Sequence, residues 1–528
     1  METSQRKYPV GVQTFSVIRN GGYIYIDKTD LIWKLYKSAK YVFLSRPRRF
    51  GKSLLSTTIA SYFRGERHLF EGLKIMDLEK EWKEYPVLHL DISTAKNKDS
   101  KKEVLDELLD ILAPYCSEYD VDMNENTPGQ CLKKAITNAY NKTGSQVVIV
   151  IDEYDAPLLE VMHNESLAAI RKLMQEFFQP LKACESMVKF CFITGITKFS
   201  QLSIFSTLNN LRNVSMNPEF SAICGITESE LVTAMAEDIH LMAESLCLDD
   251  EEMHRKLKQQ YDGYHFSDKS EDIYNPFSLL NAFADKAIKS YWFSSGTPYF
   301  LIEQLKQFKV EISDVENIDL QASAFDAPTE TMDSIYPLLY QSGYLTIKEY
   351  DPTFDTYRLA IPNQEVRVGL TECLLPAVTG IRLDKVQSGF GIRFARALWN
   401  DDIDTALNDL DAFLESIPYV EGFKQKLDEA SFREGFYEYT FFLIFSMMEA
   451  YVQTQVKRWR GRIDMVVQMP QTTYLFEFKI RTGADNAIRQ MDQRHFAKRY
   501  QTDGRRVVKV GILFDTENWS IKERKIEK

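Results

Sequence analysis

The stretch Ser45-Arg46-Pro47-Arg48-Arg49-Phe50-Gly51-Lys52-Ser53 decides how this chain is read. In front of it stands the apolar run Tyr41-Val42-Phe43-Leu44, which reads as a buried strand, and behind it Leu54 to Phe63 reads as a helix. Strand, loop, Gly-Lys-Ser and helix form the context that a phosphate-binding loop requires. Backbone N–H groups of such a loop, together with the helix N-terminus, cradle phosphate oxygens. Lys52 is then the group that reaches the β- and γ-phosphates, and the Ser53 hydroxyl ligates Mg²⁺. Arg48, Arg49 and Gly51 complete the expected nucleotide-binding set. The motif G-x-x-x-x-G-K-[ST] asks for glycine at position 46, where this chain has Arg46. On the loop alone, an arginine-rich surface turn capping a helix is an equal alternative.

Outward from the loop, the next signals are strands. Pro86 to Ile92 reads as a second buried strand, and Val188 to Gly195 as another. Between them, Val147-Val148-Ile149-Val150-Ile151 runs into Asp152-Glu153. A mostly β-branched apolar run ending in two acids reads as a central parallel strand that delivers carboxylates at its C-terminal end. Asp152 is expected to hold Mg²⁺ and Glu153 to polarise the attacking water. Thr194 stands where a polar sensor of the γ-phosphate belongs, with a helix N-cap or turn residue as the equal alternative. A long helical stretch covers Lys101 to Tyr140, broken near 124–129. Strands alternating with helices imply a parallel α/β sheet. Ahead of the loop, Tyr23 to Thr29 alternates aromatic residues like a strand, and Asp30 is placed to cap a helix over Leu31–Lys37.

Composition bounds the function. With 44% hydrophobic and 27% charged residues the chain is an ordinary globular protein with room for about three domains. A net charge of −12 excludes a chain-wide nucleic-acid binder. The charge is uneven, however: residues 431–528 hold 18 Lys and Arg against 12 Asp and Glu. That local excess points to a polyanionic partner there, or to scattered solvated charge. Seven dispersed cysteines without C-x-x-C fit a reducing compartment, and the expected location is cytoplasmic. The N-terminus lacks an apolar signal region. The apolar run Phe441 to Met448 is too short to span a bilayer and reads as a buried core helix. No membrane is expected; oligomerisation is left open.

The middle of the chain, from 225 to about 325, reads as helical and acidic. Ile335 to Ile361 then gives a short helix ending at Gly343 and two strands turning at Asp351-Pro352, a winged-helix-like pattern. Its wing is nearly uncharged, which favours a lid or a partner contact over DNA binding. The region 380–391 reads as a linker.

A second constellation lies near the C-terminus. A helix opens at Phe432 and carries Glu434; Gly461-Arg462-Ile463-Asp464 leads into one strand, and Thr473 to Ile480 forms the next. Asp464 and Glu477 face one another across a short turn, and Glu477 and Lys479 share one strand face. Carboxylates are hard ligands for Mg²⁺, so Asp464, Glu477 and Glu434 are the expected metal ligands. Lys479 positions or deprotonates a metal-bound water for attack on a phosphodiester, and Gln490 on the following helix orients Lys479 or a phosphate. The alternative is a solvated cross-strand charge pair; the apolar neighbours Leu475, Phe476, Phe478 and Ile480 argue against it.

These residues resemble two known families. Phe15 to Arg19, Asp27-Lys28-Thr29, Arg46 to Ser53, Asp152-Glu153-Tyr154-Asp155 and Leu208-Asn209-Asn210-Leu211 look like the largely bacterial AAA-ATPase-like family. In that family the arginine before Pro47 is usual, so the resemblance implies ATP binding with Lys52, Ser53 and Asp152 in the roles above. It makes Arg46, Arg48 and Arg49 a substitution of charge for flexibility. Arg212 becomes a candidate charge-stabilising arginine, with a solvated arginine as the equal alternative. The C-terminal hundred residues are similar to the PD-(D/E)XK nuclease superfamily, with Glu434, Asp464, Glu477-Phe478-Lys479 and Gln490 in its order. The expected organisation is a P-loop ATPase-like domain over 1–225, a helical and winged-helix-like region over 226–375, and an α/β restriction-endonuclease-like domain over 376–528. The expected function is an ATPase, with ATP and Mg²⁺, gating a Mg²⁺-dependent nuclease that acts on nucleic acid. Its rival is an ATP-dependent switch or scaffold that binds nucleic acid or a protein without cutting.

Overall fold

The structure, a computed structural model, describes residues 6–96, 98–124, 126–159, 161, 165–197, 210–294, 318–326, 334–370, 390–415, 455–459, 463–493, 497, 500, 504–515 and 520–528. Of Asp464 it describes the backbone alone. Glu434, Leu208, Asn209, the expected helix around 441–448 and most of the expected linker lie outside the described residues. The chain forms two compact units, residues 1–295 with 317–363, and residues 296–316 with 364–528. Among the described residues no helix is long and apolar enough to cross a membrane.

The first unit is built on a five-stranded parallel sheet, as expected. Its strands are β1 (Tyr41–Ser45), β2 (Val87–Asp91), β3 (Val147–Asp152), β4 (Val188–Gly195) and β5 (Arg212–Asn213), in the order β2-β3-β4-β1-β5. All six residues of β3 are buried, which is what an unbroken β-branched run requires: both faces are covered. β4 lies between the loop strand β1 and the acid-tipped β3. Register aligns the strand ends, with Leu44 beside Thr194, Ile151 beside Ile193 and Asp91 beside Asp152. One step on from Ile151, Asp152 comes beside Thr194. Paired residues in neighbouring strands point to one face, so Asp91, Asp152 and Thr194 form a polar row at the C-terminal edge. Helix α3 (Lys52–Phe63) starts at the end of the loop and packs on β2, β3 and β4.

The lead-in departs from expectation. Phe15–Gly21 is a helix, α1, closed by Gly22 in the left-handed region. Tyr23 makes one isolated bridge to Lys7, and 24–28 form no strand. The aromatic alternation is satisfied by packing instead, with the Tyr25 ring edge-on to Phe15 at 5.2 Å. Helix α2 spans Thr29–Ser38; Asp30 lies within its first turn, and the carboxylate that holds the helix start is Asp27. Asp27 accepts from the Thr29 N–H and hydroxyl at 2.9 and 2.7 Å and from the Lys74 N–H at 2.7 Å. The long helical stretch is two helices, Lys101–Glu118 and Pro128–Thr143, each begun by a capping box: Ser100 with Glu103, and Thr127 with Gln130.

The helices Glu228–Ala234, Ala236–Ser245, Asp250–Tyr261 and Pro276–Asp285 bury a separate apolar cluster within the same unit. The last of them starts at Asn275, whose side chain caps Phe277 and Ser278, with Pro276 at the first helical position. Helix Tyr336–Ser342 ends at Gly343 (φ +87°) and leads into the hairpin Thr346–Asp351 and Thr356–Ala360, joined by a third strand, Ile318–Gln321.

The second unit carries its own five-stranded sheet, in the order 455–459, 463–468, 472–479, 506–515, 520–527. The middle pair, 472–479 and 506–515, is parallel and the others antiparallel. Strand Ser520–Glu527 extends the sheet beyond the last strand expected from the sequence. Its run Ile521 to Glu527 carries Lys, Glu and Arg on exposed positions, the charged dress of an edge strand.

Arg46 ties the phosphate loop down. Its guanidinium is 2% exposed and donates to the carbonyls of Ser45 and Ser215 at 2.9 and 2.8 Å, and of Phe220 and Ser221 at 3.0 and 3.3 Å. It also stacks 4.2 Å from the Phe266 ring centroid. Arg46 is therefore not a charge offered to phosphate, which corrects the expectation drawn from the three arginines together. Restoring the motif's glycine with Arg46→Gly strands several buried carbonyls. It is expected to destabilise the first unit by ~3 kcal/mol or more in urea unfolding; an unchanged midpoint would count against this clamp.

Candidate functional site

The loop's geometry follows from three residues. Gly51 adopts φ +91° and Arg49 φ +66°, so the chain turns through two left-handed residues before α3 begins. Lys52, 5% exposed, points its ammonium back and donates to the carbonyls of Arg46 and Pro47, both at 3.0 Å. Ser53 follows on the first turn of α3 and lines one cleft with Asp152 at the sheet edge. Sequence residues 99 positions apart are thereby brought to one cleft, a hydroxyl and a carboxylate among its lining. That donor set fits a hard divalent cation such as Mg²⁺.

Burial pushes the Asp152 carboxyl up to about 6, while the Ser53 hydroxyl and Lys52 pull the other way. Glu153, half-buried, sits at φ +49°, and its N–H donates to Asp152 Oδ1 at 3.1 Å. Thr194 is fully buried, and its Oγ1 has no hydrogen-bond partner among the described residues. Arg48 is half-buried and lends its carbonyl to Trp292 Nε1 at 3.1 Å. Arg49 is exposed, with its guanidinium 4.7 Å from the Phe277 ring centroid. Arg212 is set apart from this group. It pairs with Val42 near the start of β1 and donates to the Ser38 carbonyl at 3.0 Å, far from the loop end of the strand.

Ser53 and Asp152 open on a cleft of about 380 Å³ lined by polar and charged residues. Its lining includes Thr57 from α3, Arg64 just past the end of α3, and His89 and Asp91 from β2. Sequence reasoning passed over Asp91, His89 and Arg64. The signal for Asp91 was present, since it ends an apolar strand just as Asp152 does. Asp155 was quoted only as part of a motif. It is 1% exposed and accepts from the Ile196 N–H, the Thr197 N–H and the Thr197 hydroxyl, closing the turn after β4.

In the second unit Glu477 is 1% exposed and Lys479 Nζ donates to its Oε1 at 2.9 Å. The register with Met465 opposite Phe476, carried one residue further, sets Asp464 across from Glu477. On the same strand face, Leu475 packs with Val466, Ile488 and Met491. Gln490 is half-buried on the helix Ala484–Gln493, which packs on strand 472–479. Among the described residues no three His, Cys, Asp or Glu side chains cluster as a metal site. The buried carboxylate of Glu477 fits as one hard ligand; Glu434 lies outside the described residues, as does the Asp464 side chain.

The raised Asp152 carboxyl gives a pH signature in metal-free buffer. Its native form holds a proton between about 3.8 and about 6 that the unfolded chain has released. Its stabilising contribution is thus complete below the lower value and lost as pH rises through the upper one. Asp152→Asn is expected to stabilise the protein by ~2–3 kcal/mol at pH 8 and by almost nothing at pH 4. Urea unfolding at the two pH values checks this.

Comparison with known proteins gives two family matches. The family described as "Predicted AAA-ATPase" matches residues 9–205, and the PD-(D/E)XK nuclease superfamily matches residues 432–524. An Azotobacter chroococcum mcd 1 protein, described as "Uncharacterized protein in vnfD 5'region", is 31% identical over 535 residues, covering 98% of this chain and 98% of its own. Among solved structures, the Walker-type ATPase PABY2304 of Pyrococcus abyssi is 13% identical with a TM-score of 0.36, over 70% of this chain and 99% of that one. The Aeropyrum pernix ORC1 protein in complex with DNA is 9% identical with a TM-score of 0.25, over 66% and 93%. The chain belongs to the AAA-ATPase-like family and carries a PD-(D/E)XK nuclease superfamily domain at its C-terminal end.

Proposed function

We propose that the first unit binds and hydrolyses ATP with Mg²⁺, and that the C-terminal domain is a Mg²⁺-dependent nuclease-like domain acting on nucleic-acid phosphodiesters. The observation that carries the first half is that Ser53, directly after the Gly51-Lys52 turn, and Asp152, at the end of its strand, line one cleft. In this reading the Lys52 ammonium leaves the carbonyls of Arg46 and Pro47 for the β- and γ-phosphates. Ser53 and Asp152 hold Mg²⁺, which neutralises charge on the phosphates, and Thr194 meets the γ-phosphate with its unpartnered hydroxyl. Arg48 and Arg49 add positive charge at the mouth of the loop.

The second half rests on the buried Glu477–Lys479 pair at the centre of its sheet. Glu477, with Asp464 and Glu434, is proposed to ligate Mg²⁺; Lys479 and Gln490 place the water and the phosphate. The basic composition of residues 431–528 supports nucleic acid as the partner. The reading locates the protein in the bacterial cytoplasm.

Two substitutions test the two halves separately. Lys52→Ala is expected to weaken ATP binding by ~100-fold or more, measured by fluorescent-nucleotide titration with Mg²⁺; retained affinity would move the site elsewhere. Glu477→Ala is expected to abolish Mg²⁺-dependent cleavage of plasmid or linear DNA, assayed with and without ATP, while salt-sensitive DNA binding persists. Binding without cleavage by the unaltered protein would instead favour the switch or scaffold reading.

A further inference from the structure

Three consecutive residues of the phosphate loop lead, by three separate contacts, to one short segment, residues 343–346. Arg46 lays its guanidinium 4.2 Å from the Phe266 ring centroid. One residue before that ring, the His265 N–H donates to the Thr346 hydroxyl at 2.6 Å, and that hydroxyl donates to the His265 carbonyl at 3.2 Å. Pro47 meets the segment directly: a Cβ on Gly343 would come within 2.7 Å of the proline ring, so this approach requires glycine. The Arg48 carbonyl accepts from Trp292 Nε1 at 3.1 Å, and the Trp292 ring packs on Tyr344 with centroids 5.1 Å apart. Residues 343–346 are all buried, and they join helix Tyr336–Ser342 to the first strand of the hairpin. Lys348, on that strand, adds a bond to the Gly263 carbonyl at 3.1 Å. The far end of the hairpin differs: residues 351–355 at its turn are exposed, Phe354 to 73%. The hairpin is thus fastened to the loop at its root and exposed at its tip.

We propose that this hairpin is a nucleotide-responsive arm, moved at its root when Lys52 exchanges the carbonyls of Arg46 and Pro47 for phosphate. The inference rests on the ATP-binding reading above and goes beyond it. The Lys52 ammonium donates to both carbonyls, which belong to the two peptide units flanking Pro47. When the ammonium turns to the β- and γ-phosphates, each carbonyl loses a charged donor. A buried acceptor left unmet is costly enough to turn its peptide toward a new partner. The Arg46 side chain is held by its four carbonyl acceptors, so the adjustment falls on Pro47 and Arg48. Those two abut Gly343 and Trp292, and close-packed contacts pass a shift on instead of absorbing it. Thr346 is the pivot, because its hydroxyl ties the strand to His265, next to the ring that Arg46 holds still. A push at 343–344 against a pivot at 346 swings the strands beyond it. The coupling is reciprocal: a partner that fixes the hairpin also changes the affinity of the loop for nucleotide.

Hydrogen–deuterium exchange of the full chain, read by mass spectrometry, tests the arm. ATP with Mg²⁺ is expected to change amide exchange over residues 347–360 by ~5-fold or more, together with that of the loop 46–53. Lys52→Ala takes the same donor from the same two carbonyls, so without any nucleotide it is expected to shift exchange over 347–360 by itself. Thr346→Val keeps the side-chain shape and removes the hydroxyl. It is expected to bind ATP within about threefold of the unaltered protein, to keep the response in 46–53 and to lose most of that in 347–360. Thr346→Ser should restore it. Should Thr346→Val fail to fold, Lys348→Met cuts the second bond of the same strand and is expected to weaken the response. A loop that responds to ATP while 347–360 does not would overturn the proposal, as would a Thr346→Val variant with the full response. A silent Lys52→Ala beside normal ATP binding by the unaltered protein overturns this inference and leaves the ATPase reading standing. Failure of the unaltered protein to bind ATP overturns both.

Discussion

A buried guanidinium holds the first unit's active edge together. Arg46 occupies the position where a phosphate loop ordinarily has glycine, and it reaches four carbonyls on β1 and the 215–221 segment. Burying such a charge costs several kcal/mol unless its donors are met. Here four of its N–H···O bonds are charge-assisted, and the Phe266 ring covers the flat face. Burial holds the guanidinium below its usual range, against the opposing pull of Cys224 and Tyr340. Loss of glycine's flexibility at position 46 is thus matched by a splint, and the remaining freedom of the loop sits at Arg49 and Gly51.

The same loop is gripped from the distal side by residues far along the chain. Phe50 is fully buried between Tyr264 and Phe266, edge-on to both at 4.7 and 5.3 Å. Trp292 takes the Arg48 carbonyl, Phe277 the Arg49 guanidinium, and Gly343 lies so close to Pro47 that a Cβ there would come within 2.7 Å of the proline ring. Packed interiors resist continuous deformation. Moving Lys52 off the carbonyls of Arg46 and Pro47 therefore acts on residues already wedged against the helical and hairpin elements. In this protein the phosphate loop and the later half of its unit are one mechanical piece.

What the sequence made legible depended on how local the cause was. β3 announces itself because a strand covered on both faces must be apolar throughout, and its terminal Asp152 breaks that run. The break between the helices Lys101–Glu118 and Pro128–Thr143 was legible near 124–129, while their capping boxes at Ser100 and Thr127 went unread. Arg46 was misread because its acceptors at 215–221 are about 170 residues away, and no local pattern distinguishes a buried arginine from a solvated one. Tyr23 to Thr29 was misread because alternating aromatics fit a strand and an extended chain lying on α1 equally well. Ser520–Glu527 went unseen because an edge strand exposes most of its side chains, so its charges read as a solvated tail.

The Glu477–Lys479 pair shows what stability alone leaves unexplained. Leu475, two residues earlier on the same face, packs among Val466, Ile488 and Met491, so apolar side chains suit this surface. Replacing a buried ion pair by such residues is often neutral or stabilising by ~1–4 kcal/mol. Glu477 is nonetheless placed at 1% exposure, with Gly511 as its parallel neighbour. A side chain at Gly511 would meet the Ala484 carbonyl at 2.6 Å, so the glycine lets the helix that carries Gln490 settle directly onto the sheet. Carboxylate, ammonium and helix converge because the packing beside them is reduced to backbone, an arrangement that costs core volume and brings polar groups together. Packing does not account for that sacrifice; the proposed chemistry at a phosphodiester would.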